Sequence, residues 1–418
     1  MIQRHICENG LRIVTEKIPS VRSVALGVWV RTGSKFESEG NNGISHFLEH
    51  MFFKGTKTRS AKEIAESFDE IGGNVNAFTS KEYTCYYARI LDQHAVMALD
   101  ILSDMYFHSV FDEEELEKEK NVVIEEIGMY EDTPDDLVHD LIAKASYSDH
   151  PLGYSILGTE EVLRGLAKQD LLSYTDGHYT PANTVVTVAG NFDDQLIEEI
   201  KKRFSLYRRP GVSRHVESPR FTSKSIIQSK ATEQAHLCIA FPGLPVGHDD
   251  IYSLILLNNL LGGSMSSRLF QEIREERGLA YSVYSYHSAY SDTGMFTIYT
   301  GTAPEQVGQV FEITTSILDD VRQNGISDKE LNKGKEQLKG SLMLSLESTS
   351  SRMSRLGKNE LLLERHLSLD EIIAKIDRVS TDSISAIANR LFRSPLALAM
   401  VSPLEHFPNN VRSDVLVS

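Results

Sequence analysis

His46-Phe47-Leu48-Glu49-His50 packs two imidazoles and a carboxylate into five residues, and on a helix this spacing puts all three on one face. His46 and His50 are four residues apart, so both rings can reach one cation at about 2.0–2.1 Å, the zinc–nitrogen distance. Glu49 shares that face and is free to take a proton from water rather than ligate. The order HxxEH inverts the zinc-binding order HExxH. Two partly buried helix histidines with ordinary hydrogen-bond partners fit the same five residues, so a third ligand has to decide for a metal. A carboxylate would complete a set that zinc accepts.

Downstream, an acidic helix expected over Asp112–Tyr130 supplies candidates. Glu119 and Glu126 lie seven residues apart, two turns along one face, so one can ligate while the other orients a ligand. Glu125 stays open as an alternative, and so dense a run of Glu and Lys also reads as a solvated face.

Around these motifs, periodicity predicts strands at Arg12–Glu16, Ser23–Arg31, Asn74–Thr79, Thr84–Leu91 and Thr184–Gly190. Helices are expected from about Gly43 and at Ala61–Ile71, Gln93–Met105 and Asp193–Phe204. The stretch Tyr207–Ser225, with Pro210, Gly211 and Pro219, breaks the pattern. Beyond it the order restarts, with strands at His236–Phe241, Ala280–Ala289 and Gly294–Thr300 and helices at Ile251–Leu261 and Pro304–Arg322. Ile326–Leu338 overlays Phe111–Val123 at an offset of 215 (326 against 111), which predicts an internal duplication. The expected architecture is α+β in two homologous domains, 1–208 and 227–418, joined by a linker over 209–226. The second copy has Leu256-Leu-Asn-Asn-Leu-Leu261 in place of the His/Glu helix. Gly334 and Ser341 stand where the first copy has Glu119 and Glu126, so only the first half can hold this site.

At 418 residues the chain is long enough for two domains with buried sites. Asp and Glu outnumber Lys and Arg by 59 to 43, a formal charge of −16, which argues against nucleic acid and favours cationic or neutral partners. Cys7, Cys85 and Cys238 form no CxxC pair, so a disulfide framework and a thiolate metal site are not indicated, and a reducing compartment fits. The N-terminal residues alternate like a strand with an Asn9-Gly10 turn, and no run approaches 18 apolar residues. A soluble, cytoplasmic protein with no membrane span is expected.

The segments Gly43-Ile-Ser-His-Phe-Leu-Glu-His-Met-Phe-Phe-Lys-Gly-Thr56 and Gly72-Gly-Asn-Val-Asn-Ala-Phe-Thr-Ser80, with the Glu119/Glu126 pair, resemble the pitrilysin family of inverted-zincin metallopeptidases. The resemblance is closest to the bacterial relatives of the mitochondrial processing peptidase catalytic subunit and covers essentially the whole chain. It implies a LuxS/processing-peptidase-like metallohydrolase fold, each domain an antiparallel sheet with helices packed on one face. It also implies one Zn²⁺ per chain on His46, His50 and Glu126, Glu49 as general base, and Glu119 supporting the ligands.

In the resembled family an edge strand receives the peptide, which would make Asn76, Ala77 and Phe78 substrate contacts; core packing accounts for Phe78 equally well. Ser267–Val283 resembles the family's C-terminal signature, in which an Arg and a Tyr seven residues apart reach the active site. Here they are Arg274, for a substrate carbonyl, and Tyr281, for the oxyanion, with Arg277 an alternative to Arg274. His150 and His178 match the family's general pattern on turn-rich segments and are assigned to structure. Relatives of this length imply a homodimer enclosing a chamber, with unfolded peptides or presequence-like segments as substrate. The short Leu261–Arg268 segment departs from the long glycine-rich loop of the mitochondrial non-catalytic subunit and weakens presequence recognition. Catalytically silent relatives keep open a scaffold like a non-catalytic processing subunit or respiratory core protein, or a peptide-binding chamber.

Overall fold

The computed structural model describes residues 2–212 and 216–416; residues 213–215 of the expected linker, and the extreme ends of the two expected domains, lie outside the described residues. Runs rich in Val, Ile and Thr form the strands, as such residues favour a pleated, packed surface. In the first half these are β1 (Ile2–Ile6), β2 (Arg12–Lys17), β3 (Ser23–Val30), β4 (Asn74–Thr79), β5 (Thr84–Leu91) and β6 (Thr184–Gly190). They assemble in the order β1-β2-β6-β3-β5-β4, with β4 at an edge. The second half has β7 (Ser225–Ser229), β8 (Ala235–Pro242), β9 (Ala280–Ala289), β10 (Gly294–Thr302) and β11 (Ala397–Ser402), ordered β7-β11-β8-β10-β9. Each sheet is mainly antiparallel but carries one parallel pair, β2 with β6 and β7 with β11.

The first-half helices are α1 (Ile44–Met51), α2 (Ala61–Glu70), α3 (Ala95–His108), α4 (Glu113–Glu131), α5 (Pro134–Tyr147), α6 (Glu160–Gly165), α7 (Lys168–His178) and α8 (Asp194–Phe204). The second half contributes α9 (Ile251–Leu261), α10 (Val307–Asn324), α11 (Asp328–Ser345), α12 (Thr349–Leu362), α13 (Leu369–Asp377) and α14 (Thr381–Phe392). No described helix is long and apolar enough to cross a membrane.

Two compact units result, and they are not the continuous segments 1–208 and 227–418. Unit 1 comprises Met1–Gly128, Ser155–Val216 and Ser345–His366; unit 2 comprises Met129–Tyr154, Glu217–Leu344 and Leu367–Ser418. Helix α5, early in the chain, thus belongs to unit 2, and α12, late in the chain, to unit 1. The reason lies in the strands. Alternation along β3 sends Val24, Leu26 and Val28 into a core with Phe47, Phe52 and Leu102, while Ala25 and Trp29 point to the other face. With β3 and β6 apolar on both faces, each sheet must be covered twice.

Most helices of each unit cover one face of its sheet, and a single helix takes the other. Met353, Leu356 and Leu361 of α12 close over Trp29, Cys85 and Val185. Gly357 allows the close approach, since a Cβ there would lie 2.2 Å from the Trp29 indole. Charge anchors the same helix: Glu360, fully buried, accepts from Arg4 Nε at 2.9 Å and pairs with Arg12 and His366. In unit 2, Val138, Ile142 and Ala145 of α5 cover Cys238, Ala240 and Ala399. His139 fixes that helix to β9 through the hydroxyls of Tyr286 at 2.8 Å and Tyr284 at 3.1 Å.

Candidate metal centre

Helix α1 is positioned from its first turn. Gly43 adopts φ +96°, and a Cβ there would meet Leu157 O at 2.6 Å, so glycine is required. The helix has no side-chain cap of its own. Buried Glu37 substitutes, accepting from Gly43 N at 2.7 Å and Ser45 N at 2.9 Å, an anion at the positive end of the helix. Burial of Phe47, Leu48 and Met51 turns the opposite face, with His46, Glu49 and His50, away from the core.

Helix α4 brings the third group. Glu126 Oε2 lies 3.8 Å from His46 Nε2 and 3.6 Å from His50 Nε2, and these candidate ligand atoms all lie within 4.8 Å of one another. Three ligands around a tetrahedral zinc at about 2.0–2.1 Å would sit roughly 3.3–3.4 Å apart, so the donor set fits such an ion after small side-chain adjustments. Burial, reinforced by the charge of His50, lowers the His46 pKa to about 3. The ring is therefore neutral, as ligation requires. Glu125, the open alternative, is exposed and outside this cluster.

Glu119 is buried behind the candidate ligands and its Oε1 is 2.8 Å from His50 Nδ1. With Nδ1 donating to that carboxylate, Nε2 is left as a lone pair facing Glu126 and His46. Lys54 Nζ holds the other Glu119 oxygen at 2.5 Å. Burial opposes the Glu119 anion, but its bonds to His50 and Lys54 prevail and lower its pKa. Burial also opposes the His50 cation, and the bond and charge of Glu119, with Glu126 and Glu49, outweigh it and raise its pKa. Glu49 is half-buried; desolvation raises its pKa against the opposing hydrogen bond from Thr79.

Along β4, Asn76 is exposed and its Oδ1 accepts from Ala77 N at 2.8 Å. Ala77 is buried in the unit core. The Phe78 ring packs edge-on to Trp29 at 5.5 Å between centroids, with Tyr83 and Tyr87 nearby. Its side chain serves the core of unit 1.

Arg274 and Tyr281 lie in unit 2 and meet each other. The Arg274 guanidinium stacks over the rings of Phe270 at 4.7 Å and Tyr281 at 4.9 Å. Tyr281 is 74% exposed, while Arg277 is engaged by Glu272. His150 caps a turn through Leu152 N and bonds Glu217 O, and His178 stacks on Tyr174.

Sequence reasoning missed Glu37, Lys54 and Thr79 as parts of the centre. Lys54 carried a signal in its place four residues after His50, one turn along. Glu37 and Thr79 meet α1 only through the tertiary fold.

Comparison with known proteins adds to this geometry. Residues 12–160 match the family model described as Insulinase (Peptidase family M16), and residues 165–338 match the Peptidase M16 inactive domain. A Bacillus subtilis protein named an uncharacterized zinc protease, YmxG, is 59% identical over 409 residues, covering 98% of this chain and 100% of its own. A Streptomyces coelicolor uncharacterized zinc protease is 40% identical, covering 97% and 90%. A solved protease from Helicobacter pylori superposes with a TM-score of 0.89 at 23% identity, over 96% of this chain and 99% of that one. A Pseudomonas fluorescens structure described as a peptidase M16 inactive domain gives 0.89 at 21%, over 97% and 100%. At such identities these two speak to the fold alone, which they share along its length.

Proposed function

The chain belongs to the M16 (insulinase) family of peptidases, and from that premise we propose that it is a zinc-dependent endopeptidase acting on extended, unfolded peptide segments. The convergence of His46, His50 and Glu126 beside the Glu49 carboxylate carries this reading. These three residues would hold one zinc ion per chain. When bound, such an ion polarises a carbonyl and lowers the pKa of water.

The chain's own residues do the rest. Glu49 removes a proton from the attacking water and delivers it to the leaving amine. Its half-buried setting raises its proton affinity toward that exchange. Glu119, held by Lys54, keeps His50 in the tautomer that presents Nε2. The peptide adds as a strand to β4 by main-chain hydrogen bonds, with Asn76 and Ala77 at the contact and Phe78 contributing backbone. Arg274 and Tyr281 act on the substrate carbonyl and the developing oxyanion, each such donor contributing about 3 kcal/mol in comparable enzymes. We further propose a cytoplasmic homodimer with an enclosed chamber, with presequence-like segments among the substrates.

Incubating the protein with a mixed peptide library, with and without chelator, and mapping products by mass spectrometry tests this reading. Cleavage abolished by chelator and restored by zinc is expected. Chelator-insensitive cleavage would overturn it, and a library bound but left uncut would favour a catalytically silent scaffold or peptide-binding chamber.

A further inference from the structure

Thr79 closes strand β4, the strand proposed to receive the peptide. Alternation places it on the same side as Ala77, whose methyl is in the core beneath α1, and opposite Phe78, whose ring faces Trp29. From there the Thr79 hydroxyl donates to Glu49 Oε2 at 2.6 Å. The terminal torsion of a glutamate is broad, so an unheld carboxylate would sample many orientations. Here one oxygen is fixed, and no side chain among the described residues claims Oε1.

We propose that Thr79 is a positioning residue for the general base. Its hydroxyl fixes the Glu49 carboxylate, presents Oε1 for proton exchange, and ties the base to the strand against which the peptide is registered. Base and scissile bond then share one frame, set by β4, and the peptide need not be located separately from the group that acts on it. The inference rests on Glu49 being the base, as proposed above.

The test uses the zinc-loaded protein and one fluorogenic peptide chosen from the cleaved library. Thr79→Val is near-isosteric and removes only the hydroxyl. We expect kcat to fall roughly 10- to 100-fold, the scale of a misplaced catalytic group, with KM within twofold and zinc content unchanged. Thr79→Ser should recover kcat to within about threefold of the parent, because the donor returns. Should the valine variant fold poorly, Thr79→Ala against Thr79→Ser makes the same comparison. Parental kcat in Thr79→Val overturns the proposal, as does a change confined to KM, which would assign the hydroxyl to peptide binding. A serine variant as slow as valine also overturns it, since the methyl would then matter rather than the donor. Glu49→Gln in parallel separates the two readings: full activity there removes the base itself, whereas an inactive Glu49→Gln beside a fully active Thr79→Val removes only the role of Thr79.

Discussion

Unit 1 and unit 2 repeat one plan and fill it with opposite chemistry at one place. In unit 1, α4 meets α1 through Glu119 against His50 and Glu126 facing both histidines. In unit 2, α11 meets α9 through Gly334, where a Cβ would touch Leu260 at 3.1 Å and Leu256 at 3.5 Å. A helix pair that in one unit sets carboxylates against imidazoles meets in the other through leucines and a glycine, with Asn259 donating to Gln337 at its exposed margin. The fold does not need the polar cluster, since leucines and a glycine satisfy the same packing. Burying charged groups opposes folding unless they are paired, and Glu119 is paired with both His50 and Lys54, so the fold accommodates the cluster without requiring it.

The largest expected effect breaks the chemistry and leaves the packing alone. Glu49→Gln should lower kcat by about 10²- to 10⁴-fold, the usual contribution of a general base, while zinc content and melting temperature hold. Measured zinc stoichiometry beside peptide turnover decides it; loss of the metal together with activity would place Glu49 among the ligands.

Next in size is the support behind the candidate ligands. Lys54→Met removes the cation that fixes the second oxygen of Glu119 and should weaken zinc binding about 10- to 100-fold, as outer partners of metal ligands commonly do. Competition with a chelator of known affinity measures it. An unchanged affinity would mean that Glu119 is held well enough by His50 alone.

The helices covering the second faces make a similar contrast. Unit 1 holds α12 with Glu360, whose pKa is lowered because its bonds from His366 and Arg4 outweigh desolvation. Unit 2 holds α5 with His139, whose pKa is lowered by burial against the nearby charges of Asp136, Asp140 and Asp135. For both groups the unfolded chain binds the proton more readily, so stability falls as pH falls. For His139 the loss begins below its ordinary value of 6.5, and for Glu360 only below 4.5. Acidification should therefore loosen α5 before α12. Hydrogen exchange followed peptide by peptide between pH 7 and 4 reads the order, and simultaneous loosening would refute it.

The sequence made much of this legible and hid the rest for physical reasons. His46 and His50 were readable because helical spacing fixes which side chains share a face, Glu126 was singled out from Glu119 and Glu125 only by the family resemblance, and the duplication was readable because Ile326–Leu338 still overlays Phe111–Val123. The placement of α5 and α12 was not, because an amphipathic helix carries the same pattern whichever sheet it covers. Thr79 and Glu37 were hidden as site residues because contacts 30 residues from Glu49 and 6 from Gly43 depend on how strand and turn fold back onto α1. The packing of the Phe78 ring on Trp29 was visible only once the strands were in place.

The smallest expected effect sharpens the contrast at the position equivalent to Glu119. Gly334 lies buried inside α11, where glycine is about 1 kcal/mol less favourable than alanine. In Gly334→Ala the new methyl would press on Leu260 Cδ2 at 3.1 Å, the far end of a flexible and only partly buried side chain. A shift of a few tenths of an ångström relieves the contact, so the helix gain should prevail and raise stability by about 0.5–1 kcal/mol in urea unfolding. A loss of more than about 1 kcal/mol in the same unfolding curves would mean the reverse, that the site cannot absorb one added methyl. The leucine contact of unit 2 would then be as closely specified as the candidate metal centre of unit 1, and glycine would be there because nothing larger fits.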